Sequence, residues 1–275
     1  MDDDRTEANR RNWDERVAVH PGTDYYDVDG FLDGASSLYA LERDELADVV
    51  DEETELLHLM CHFGLDTLSW ARTCRSVVGV DFSPAAVEKA TDLAETAGLD
   101  DRAEFVEGNV LDVDLGRQFD VVFNTFGVLG WLEDVEAWAD TVARHLRPGG
   151  TFYFADVHPV AGCFTHVDAD GASFGGWSFS YFREEPMRFD VGGSYADPDA
   201  EFEHTEQYEY QHTLGEAVSA LASRDLDIEF LHEFPWADFE LYDGMEEGDD
   251  GRWWLPEDVP VELPLTVSLR AQKRA

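Results

Sequence analysis

The feature that most constrains the fold is a regular alternation of apolar strand-like runs and helical patterns between about residues 36 and 157. The pattern predicts helices near 37–49, 66–74, 83–98 and 135–146, and strands near 55–60, 76–81, 103–109, 119–126 and 151–157. Strands and helices that alternate at this pitch form a parallel sheet with helices on both faces. Right-handed crossovers then bring the loops after the strands to one carboxyl edge, where α/β folds bind ligands.

Two segments depart from this alternation. Residues 1–35 contain a helical pattern over 6–18 and a loop over 21–30 that Pro and Gly punctuate. Residues 159–213 are rich in Gly and aromatic residues, and the runs WSFSYFRE and HTEQYEYQH predict an antiparallel pair within an insertion. A helix near 213–225 and strands near 227–234 and 264–272 complete the predicted elements.

Charge excludes several classes of partner. The 275 residues carry 61 acidic and 19 basic side chains, a formal net charge of −42 that would repel nucleic acid and anionic membranes. Because the acids run the whole length and 44% of residues are hydrophobic, the sequence predicts an acidic coat on a folded core, as in proteins of salt-loving organisms. We find no apolar signal core or membrane-spanning run, which favours a cytoplasmic protein.

The stretch LLHLMCHFGLDTLSWAR at 56–72 has the form of strand, tight loop and helix, yet its loop contains one glycine, Gly64. A loop that binds pyrophosphate needs several glycines. Asp81 ends the next strand, 17 residues after Gly64, where a carboxylate can accept both hydroxyls of a ribose, although a helix cap is the alternative. Phe82 offers an apolar face for a base, and Ser83 begins the following helix well.

Further polar residues end the third and fourth strands. Asn109, followed by Val110, can pair with the edge of an adenine or can simply form a turn. Asn124, Thr125 and Phe126 lie at the tip of the fourth strand, over the centre of the predicted site. These residues predict a pocket for an adenosine without a phosphate-binding device.

This order of motifs resembles the class I S-adenosylmethionine-dependent methyltransferases, with GN at 108–109, FDVV at 119–122 and LRPGG at 146–150. More narrowly, it is similar to a subfamily whose first loop reads HxxCHxGxDT, with further likeness at VDFSPAA, GVLGWL, SYAD, TLGE, EFLHEFPW and WWLP. His58 stands at the family's acidic position, and Met60 and His62 replace two of its glycines.

The resemblance implies a Rossmann-like, seven-stranded, mostly parallel sheet and S-adenosylmethionine as cofactor. It implies methyl transfer by direct displacement to a small-molecule acceptor. Residues 36–275 would form the methyltransferase domain, with 1–35 capping the site and 159–213 as a lid that helps to bind the acceptor. The expected cofactor-binding residues are His58, Met60, Gly64, Asp66, Asp81, Phe82, Ser83, Asn109, Val110, Asn124, Thr125 and Phe126.

The leader also offers Trp13 and Arg16 near the methionine moiety, where Arg16 would clamp a carboxylate unless it is an exposed surface arginine. Some of the abundant aromatic residues are expected to line the acceptor pocket, the candidates being Trp131, Trp177, Tyr181, Tyr208, Tyr210, Trp236, Trp253 and Trp254.

Candidate catalytic residues end the fifth strand. Asp156 and His158 would lie near the transferred methyl group, and His158 is a candidate general base unless it is a structural histidine before proline. A base is not obligatory, because a sulfonium is already activated and alignment supplies much of the rate.

Three other readings compete with an active methyltransferase. A metal at His58, Cys61 and His62 is disfavoured, since ligands in one strand-turn segment would point in divergent directions. Nicotinamide-dependent reduction is disfavoured because the GxGxxG nest is missing. A catalytically inactive module that binds S-adenosylmethionine or S-adenosylhomocysteine remains the alternative function. No feature of the sequence indicates the oligomeric state.

Overall fold

The computed structural model describes residues 3–164, 179–257, 259 and 262–275. In this part of the chain the α-helices are α1 (Asp3–Val19), α2 (Val28–Leu32), α3 (Ala40–Glu45), α4 (Leu65–Ala71), α5 (Pro84–Ala97), α6 (Val135–His145) and α7 (Leu214–Ala222). The strands are β1 (Glu55–Leu59), β2 (Ser76–Asp81), β3 (Ala103–Glu107), β4 (Phe119–Thr125), β5 (Leu146–Val157), β6 (Met187–Asp190), β7 (Glu206–Glu209), β8 (Leu226–Phe234), β9 (Trp236–Ala237), β10 (Glu246–Glu247), β11 (Trp253–Trp254) and β12 (Thr266–Lys273).

The main sheet confirms the predicted fold class. Its seven strands have the order β3-β2-β1-β4-β5-β12-β8. The first five are parallel to their neighbours, whereas β12 runs antiparallel to both β5 and β8. The carboxyl ends of β1, β2, β3 and β4 therefore meet at one edge, as the alternation predicts.

Successive side chains of each strand pack alternately into two hydrophobic cores, one on each face of the sheet. Because both faces are buried, the sequences of these strands are nearly continuous apolar runs. Leu57 and Leu59 of β1 pack with α6 and α7 on one face, while Leu56 packs with residues of α3 and α4 on the other. Helices thus cover both faces, and the sheet edge is left to the loops.

Several predicted boundaries differ from the structure: the helix expected near 37–49 spans only Ala40–Glu45, and two further differences concern strands. The segment LRPGG does not separate helix from strand, because β5 already begins at Leu146 with an irregular register against β4. The small antiparallel pair exists, but it joins Met187–Asp190 to Glu206–Glu209 instead of using WSFSYFRE. The first two residues of that run lie outside the described residues.

The leader helix α1 lies against β7, across almost 200 residues of sequence. The side-chain amide of Asn9 exchanges two hydrogen bonds with the backbone of Tyr208 (2.8 and 2.7 Å), and Asn12 donates to the His204 carbonyl at 2.7 Å. Both asparagines are buried. The leader and the segment 204–208 are therefore joined to one another by hydrogen bonds.

Within the described residues, no helix combines the length and apolarity needed to cross a bilayer.

Candidate active site

A cavity of about 880 Å³ lies at the carboxyl edge of the main sheet. Its walls come from the leader, from the loops after β1, β2, β3 and β4, and from the turn at 193–195. Pockets of roughly 300–1,000 Å³ suit cofactors and small molecules. Its volume is therefore sufficient for a nucleoside cofactor with a small acceptor beside it.

The loop after β1 keeps a glycine-type backbone with few glycines. Met60 and His62 adopt left-handed conformations with φ of 56° and 52°, and Gly64 has φ of 79°. A left-handed residue other than glycine costs roughly 1–2 kcal/mol. The loop is held by the Cys61 amide, which donates to the Val80 carbonyl at 2.9 Å.

Asp81 ties this loop to the start of α5. One carboxylate oxygen accepts the His62 amide at 2.8 Å, and the other accepts the Ser83 amide at 2.9 Å. Burial raises the pKa of Asp81 to about 6 against the opposing effect of these amides. Because an ionised carboxylate has about four acceptor positions, Asp81 can accept two further hydrogen bonds from a ligand in the cavity.

The loops after β2 and β3 supply further predicted residues to the cavity wall, namely Phe82, Asn109 and Val110. The side-chain oxygen of Asn109 accepts the Leu111 amide at 3.0 Å, so this residue forms a turn and lines the cavity at once. Ser83 does not line the cavity; it is the N-cap of α5, where its hydroxyl accepts the Ala86 amide at 3.1 Å.

At the tip of β4, Thr125 and Phe126 line the cavity and Asn124 does not. Asn124 is fully buried, donates to the Leu59 carbonyl at 2.7 Å and accepts the Trp138 indole N–H at 2.8 Å. Both bonds fasten β4 to β1 and α6. The geometry therefore gives Asn124 a structural position behind the site.

His58 lines the cavity from the end of β1. Its Nδ1 lies 2.8 Å from the Thr67 hydroxyl, whereas its buried Nε2 has no hydrogen-bond partner. Burial lowers the pKa of His58 to about 3, so the imidazole is neutral at physiological pH. It offers one neutral ring nitrogen to the cavity in place of the family's carboxylate.

The geometry does not support a catalytic role for Asp156 or His158, since neither lines the cavity. The Asp156 carboxylate accepts hydrogen bonds from the backbone amides of four residues at 2.8–3.0 Å: Gly127, Val128, Leu129 and Val157. His158 accepts the Val160 amide at 3.1 Å on Nδ1 and places Nε2 2.9 Å from a Glu233 oxygen. Asp156 thus shapes the loop after β4, and His158 stabilises the turn after β5.

His20 and Ser194, which are both buried beside the cavity, were not singled out from the sequence. His20 places Nδ1 2.9 Å from His62 Nε2 and Nε2 3.1 Å from the Ser194 hydroxyl. Burial, followed by the nearby charge of Arg16, lowers the pKa of His20 to about 4. The neutral rings of His20 and His62 therefore join the leader, the loop after β1 and the turn at 193–195; the motifs HxxCHxGxDT and SYAD, which contain His62 and Ser194, were the sequence signals.

Arg16 is 4% exposed and lines the cavity, so it is not a surface arginine. Its guanidinium donates to Asn12 at 2.7 Å and to Gln207 at 2.8 Å, and it lies over the Trp13 ring. Among the described residues no carboxylate lies within ion-pair distance of it. The charge of Glu209, which also lines the cavity, raises the pKa of Arg16 from farther away. A buried cation whose hydrogen-bond partners are neutral suits an anionic group of a ligand.

The aromatic prediction is met at two positions. Trp131 and Tyr210 line the cavity, whereas Tyr181, Tyr208, Trp236, Trp253 and Trp254 do not, and Trp177 lies outside the described residues. Further rings of the wall that were missed are Tyr25, Tyr26, Tyr39, Phe63, Tyr195 and Phe239. Their sequence spacing is irregular because the leader and several separate loops contribute them.

The described residues contain no group of three or more His, Cys, Asp or Glu side chains able to hold a metal ion.

Comparisons with known proteins give a match to a family model and matches to other proteins. Residues 56–150 match the family model described as a methyltransferase domain. The chain is 26% identical over 230 residues to a dTDP-3-amino-3,4,6-trideoxy-alpha-D-glucopyranose N,N-dimethyltransferase of Streptomyces venezuelae, across 77% of this chain and 92% of the relative. It is 31% identical over 152 residues to a carboxy-S-adenosyl-L-methionine synthase of Salmonella paratyphi C, covering 52% of this chain and 59% of that synthase.

Solved structures share the fold at low sequence identity. An S-adenosylmethionine-dependent methyltransferase of Mesorhizobium loti superimposes with a TM-score of 0.57 at 22% identity, covering 88% of this chain and all of the other. The DhpI–SAH complex has a TM-score of 0.57 at 15% identity, covering 100% and 99% of the two chains. Residues 56–150 are thus similar to a methyltransferase domain, and the fold is one that S-adenosylmethionine-dependent methyltransferases adopt.

Proposed function

We propose that this chain transfers a methyl group from S-adenosylmethionine to a small-molecule acceptor by direct displacement at the cavity beside β1, β2 and β4. The observation that carries the proposal is Asp81, a buried carboxylate on the cavity wall with acceptor capacity left for two ribose hydroxyls. Phe82, Asn109 and Val110 would surround the adenine. His58, Met60 and Gly64 would lie along the methionine moiety, with Thr125 and Phe126 beyond it.

The cofactor supplies an activated methyl group on a sulfonium, and the chain's task is alignment. In-line attack needs the acceptor atom at about 3–3.5 Å from the methyl carbon. Rings that surround the cavity exclude water from this approach, and the names of several relatives, including an amino-sugar N,N-dimethyltransferase and an erythromycin 3''-O-methyltransferase, support a small acceptor. The leader and residues 159–213 would act together as the lid.

The primary test is calorimetric titration with S-adenosylhomocysteine in molar KCl, a medium chosen because a net charge of −42 calls for screening. We expect micromolar binding of S-adenosylhomocysteine and none of NADH. A folded protein that binds neither ligand would overturn the proposal. An acceptor screen with S-adenosylmethionine then separates an enzyme from an inactive binding module, because only the enzyme accumulates S-adenosylhomocysteine.

The affinity for S-adenosylhomocysteine should depend on pH through Asp81. The ionised carboxylate accepts the ribose hydroxyls, and the pKa of Asp81 in the free protein is raised to about 6 by burial. Affinity should therefore be constant above about pH 7 and fall by up to about tenfold for each pH unit below 6. Titrations between pH 5 and 8 measure this slope, and Asp81→Asn should flatten it; an unchanged slope in that variant would assign the effect to another group.

Arg16 is expected to bind the carboxylate of the methionine moiety. Arg16→Gln should weaken binding of S-adenosylhomocysteine by about tenfold or more, since a charge-assisted hydrogen bond is lost. It should leave binding of 5′-methylthioadenosine unchanged, because that nucleoside lacks the amino-acid end. Arg11→Gln, an exposed change on the same helix, is the matched control. Equal weakening of both nucleosides would contradict the assignment.

A further inference from the structure

Three aromatic rings form a cluster on the cavity wall beyond β4. Tyr39 lies 5.3 Å from Phe126 and 6.4 Å from Phe239 between ring centroids, and the two phenylalanines are 5.9 Å apart. All three line the cavity. We call them the ring cluster. Aromatic faces attract cations, and grouped rings of this kind recognise organic ammonium groups.

Three carboxyl groups accompany the ring cluster, and we call them the acid group: Glu42, Asp66 and Asp238. Burial raises the pKa of each one, and Asp66 and Asp238 both raise the pKa of Glu42 further. Of the three, Asp66 lines the cavity, whereas Glu42 and Asp238 do not; the charge of Asp66 also affects the pKa values of Tyr25 and Tyr39. Within the described chain no Lys, Arg or His forms an ion pair within 4.0 Å of these carboxylates, although the charge of Arg252, farther away, opposes the rise in the pKa of Asp238.

Hydrogen bonding in this region is incomplete, which is a separate observation. Glu42 is 1% exposed, and neither its Oε1 nor the hydroxyl of Thr125, which is 5% exposed and lines the cavity, has a partner at full hydrogen-bond geometry. The two groups are close enough for a loose hydrogen bond to each other, which opposes the rise in the pKa of Glu42. Buried oxygens with such incomplete hydrogen bonding fit a ligand group that donates several hydrogen bonds, as an ammonium does.

A purely structural role accounts for only part of this arrangement. The other oxygen of Glu42, Oε2, accepts the Tyr39 amide at 2.8 Å and completes the capping box of α3. A capping box needs one carboxylate oxygen. It explains neither the second oxygen of Glu42 nor the placement of Asp66 and Asp238 around the same rings.

We propose that the ring cluster and Asp66, with Glu42 and Asp238 placed behind the cavity wall, bind the ammonium form of a primary or secondary amine, which is the methyl acceptor of this enzyme. This inference rests on the proposed function and names its acceptor class. The sheet order supports the location: Asp81 ends β2, the first loop follows β1, and Phe126 lies past β4 on the far side of β1. A cofactor anchored at Asp81 that extends along the first loop would therefore meet an acceptor held at the ring cluster.

The chemistry balances with the residues present. Asp66, which lines the cavity, takes one proton from the bound ammonium and frees the nitrogen lone pair. The nitrogen then forms a bond to the methyl carbon as the carbon–sulfur bond breaks, and that bond's electron pair remains on sulfur. The products are a methylated ammonium ion, a neutral thioether and a protonated carboxyl, which returns its proton to solvent on release. Burial favours this proton transfer because it raises the pKa of Asp66.

The inference moves Asp66 from the methionine moiety, where the sequence placed it, to the acceptor. Both ligands carry an ammonium, so the test must separate them. The probes are 2-phenylethylamine, 2-phenylethanol and phenylacetate, which share a ring and differ in charge. Each is titrated in molar KCl into protein saturated with S-adenosylhomocysteine. We expect the amine to bind at least about tenfold more tightly than the alcohol or the carboxylate.

Two variants locate the site on the protein. Asp66→Asn should weaken amine binding by about tenfold and Asp238→Asn, which does not line the cavity and acts through its charge, should weaken it by less, whereas Asp243→Asn, an exposed carboxylate of the same loop outside the cavity wall, should change it less than about twofold. Asp66→Asn should also leave the affinity for S-adenosylhomocysteine unchanged. The use of two variants guards against misfolding of either one.

Several results would overturn the inference. One is equal binding of the three probes, and another is no binding of any simple amine. A third is an Asp66→Asn variant that binds S-adenosylhomocysteine more weakly but 5′-methylthioadenosine and the amine as before, which would return Asp66 to the methionine moiety. Failure of the unaltered protein to bind S-adenosylhomocysteine is a different result, because it removes the proposed function itself.

Discussion

Asp81→Ala is expected to weaken binding of S-adenosylhomocysteine by about a hundredfold or more. The substitution removes an anionic acceptor for two ribose hydroxyls, and each hydrogen bond to a charged group contributes roughly 1.5–3 kcal/mol. It also removes the acceptor of the His62 and Ser83 amides, which position the loop after β1 and the start of α5. Calorimetric titration in molar KCl measures the change.

Two controls separate a lost contact from a damaged fold. Asp92→Ala removes an exposed carboxylate on α5 and should leave the affinity unaltered. Asp81→Asn keeps the side-chain shape and should still weaken binding substantially, because the amide nitrogen cannot accept a hydroxyl proton. Full affinity in Asp81→Ala would refute the ribose assignment.

Gly64→Ala is expected to lower the free energy of unfolding by about 2–4 kcal/mol. The residue has φ of 79°, which an L side chain adopts at a cost of about 1 kcal/mol. The added Cβ would also lie 2.5 Å from Phe105 Cε1 and 2.9 Å from Ala90 Cβ, and overpacking costs about 1–3 kcal/mol. Urea denaturation at constant KCl measures the loss.

Gly98→Ala is the matched control for this glycine. Gly98 ends α5 with φ of 66°, and its added Cβ would meet no atom within 4 Å. Only the cost of the left-handed backbone conformation should remain, so the free energy of unfolding should fall by about 1 kcal/mol. Equal losses in the two variants would show that Phe105 and Ala90 move aside, and that close packing does not require glycine at 64.

The main sheet could be predicted because its signal is local. Buried parallel strands are apolar runs of five to seven residues in β1, β2 and β4, and helices with clear caps separate them. The register of β5 was less accessible, since an irregular pairing lets LRPGG join the strand. The first strand of the small β6–β7 pair was misplaced because apolar residues alternate both in WSFSYFRE and in the run MRFDV that follows it.

The candidate site could be predicted where a residue directly follows a strand and faces the edge, as Asp81, Phe82 and Asn109 do. Such reasoning fails when a strand-end side chain turns back into the protein. Asn124 and Asp156 do so because unsatisfied backbone groups and an indole N–H nearby need acceptors or donors. Sequence position alone does not tell these two directions apart.

The rings of the cavity wall were beyond prediction for a different reason. Tyr26 and Tyr195 are 169 residues apart, and their hydroxyls are hydrogen-bonded to one another. Neither the periodicity nor the spacing of residues in the sequence indicates this contact, because it depends on how the leader packs against the turn at 193–195.

The left-handed residues of the first loop change what a glycine-rich motif means. Met60 and His62 hold the turn that glycines usually adopt, and the His62 ring packs against Trp13, Tyr26 and Phe63. The loop therefore keeps its backbone path and gains a surface on which the leader rests. A search for the glycine-rich motif would miss this site, because residues other than glycine can hold a binding loop in the same conformation.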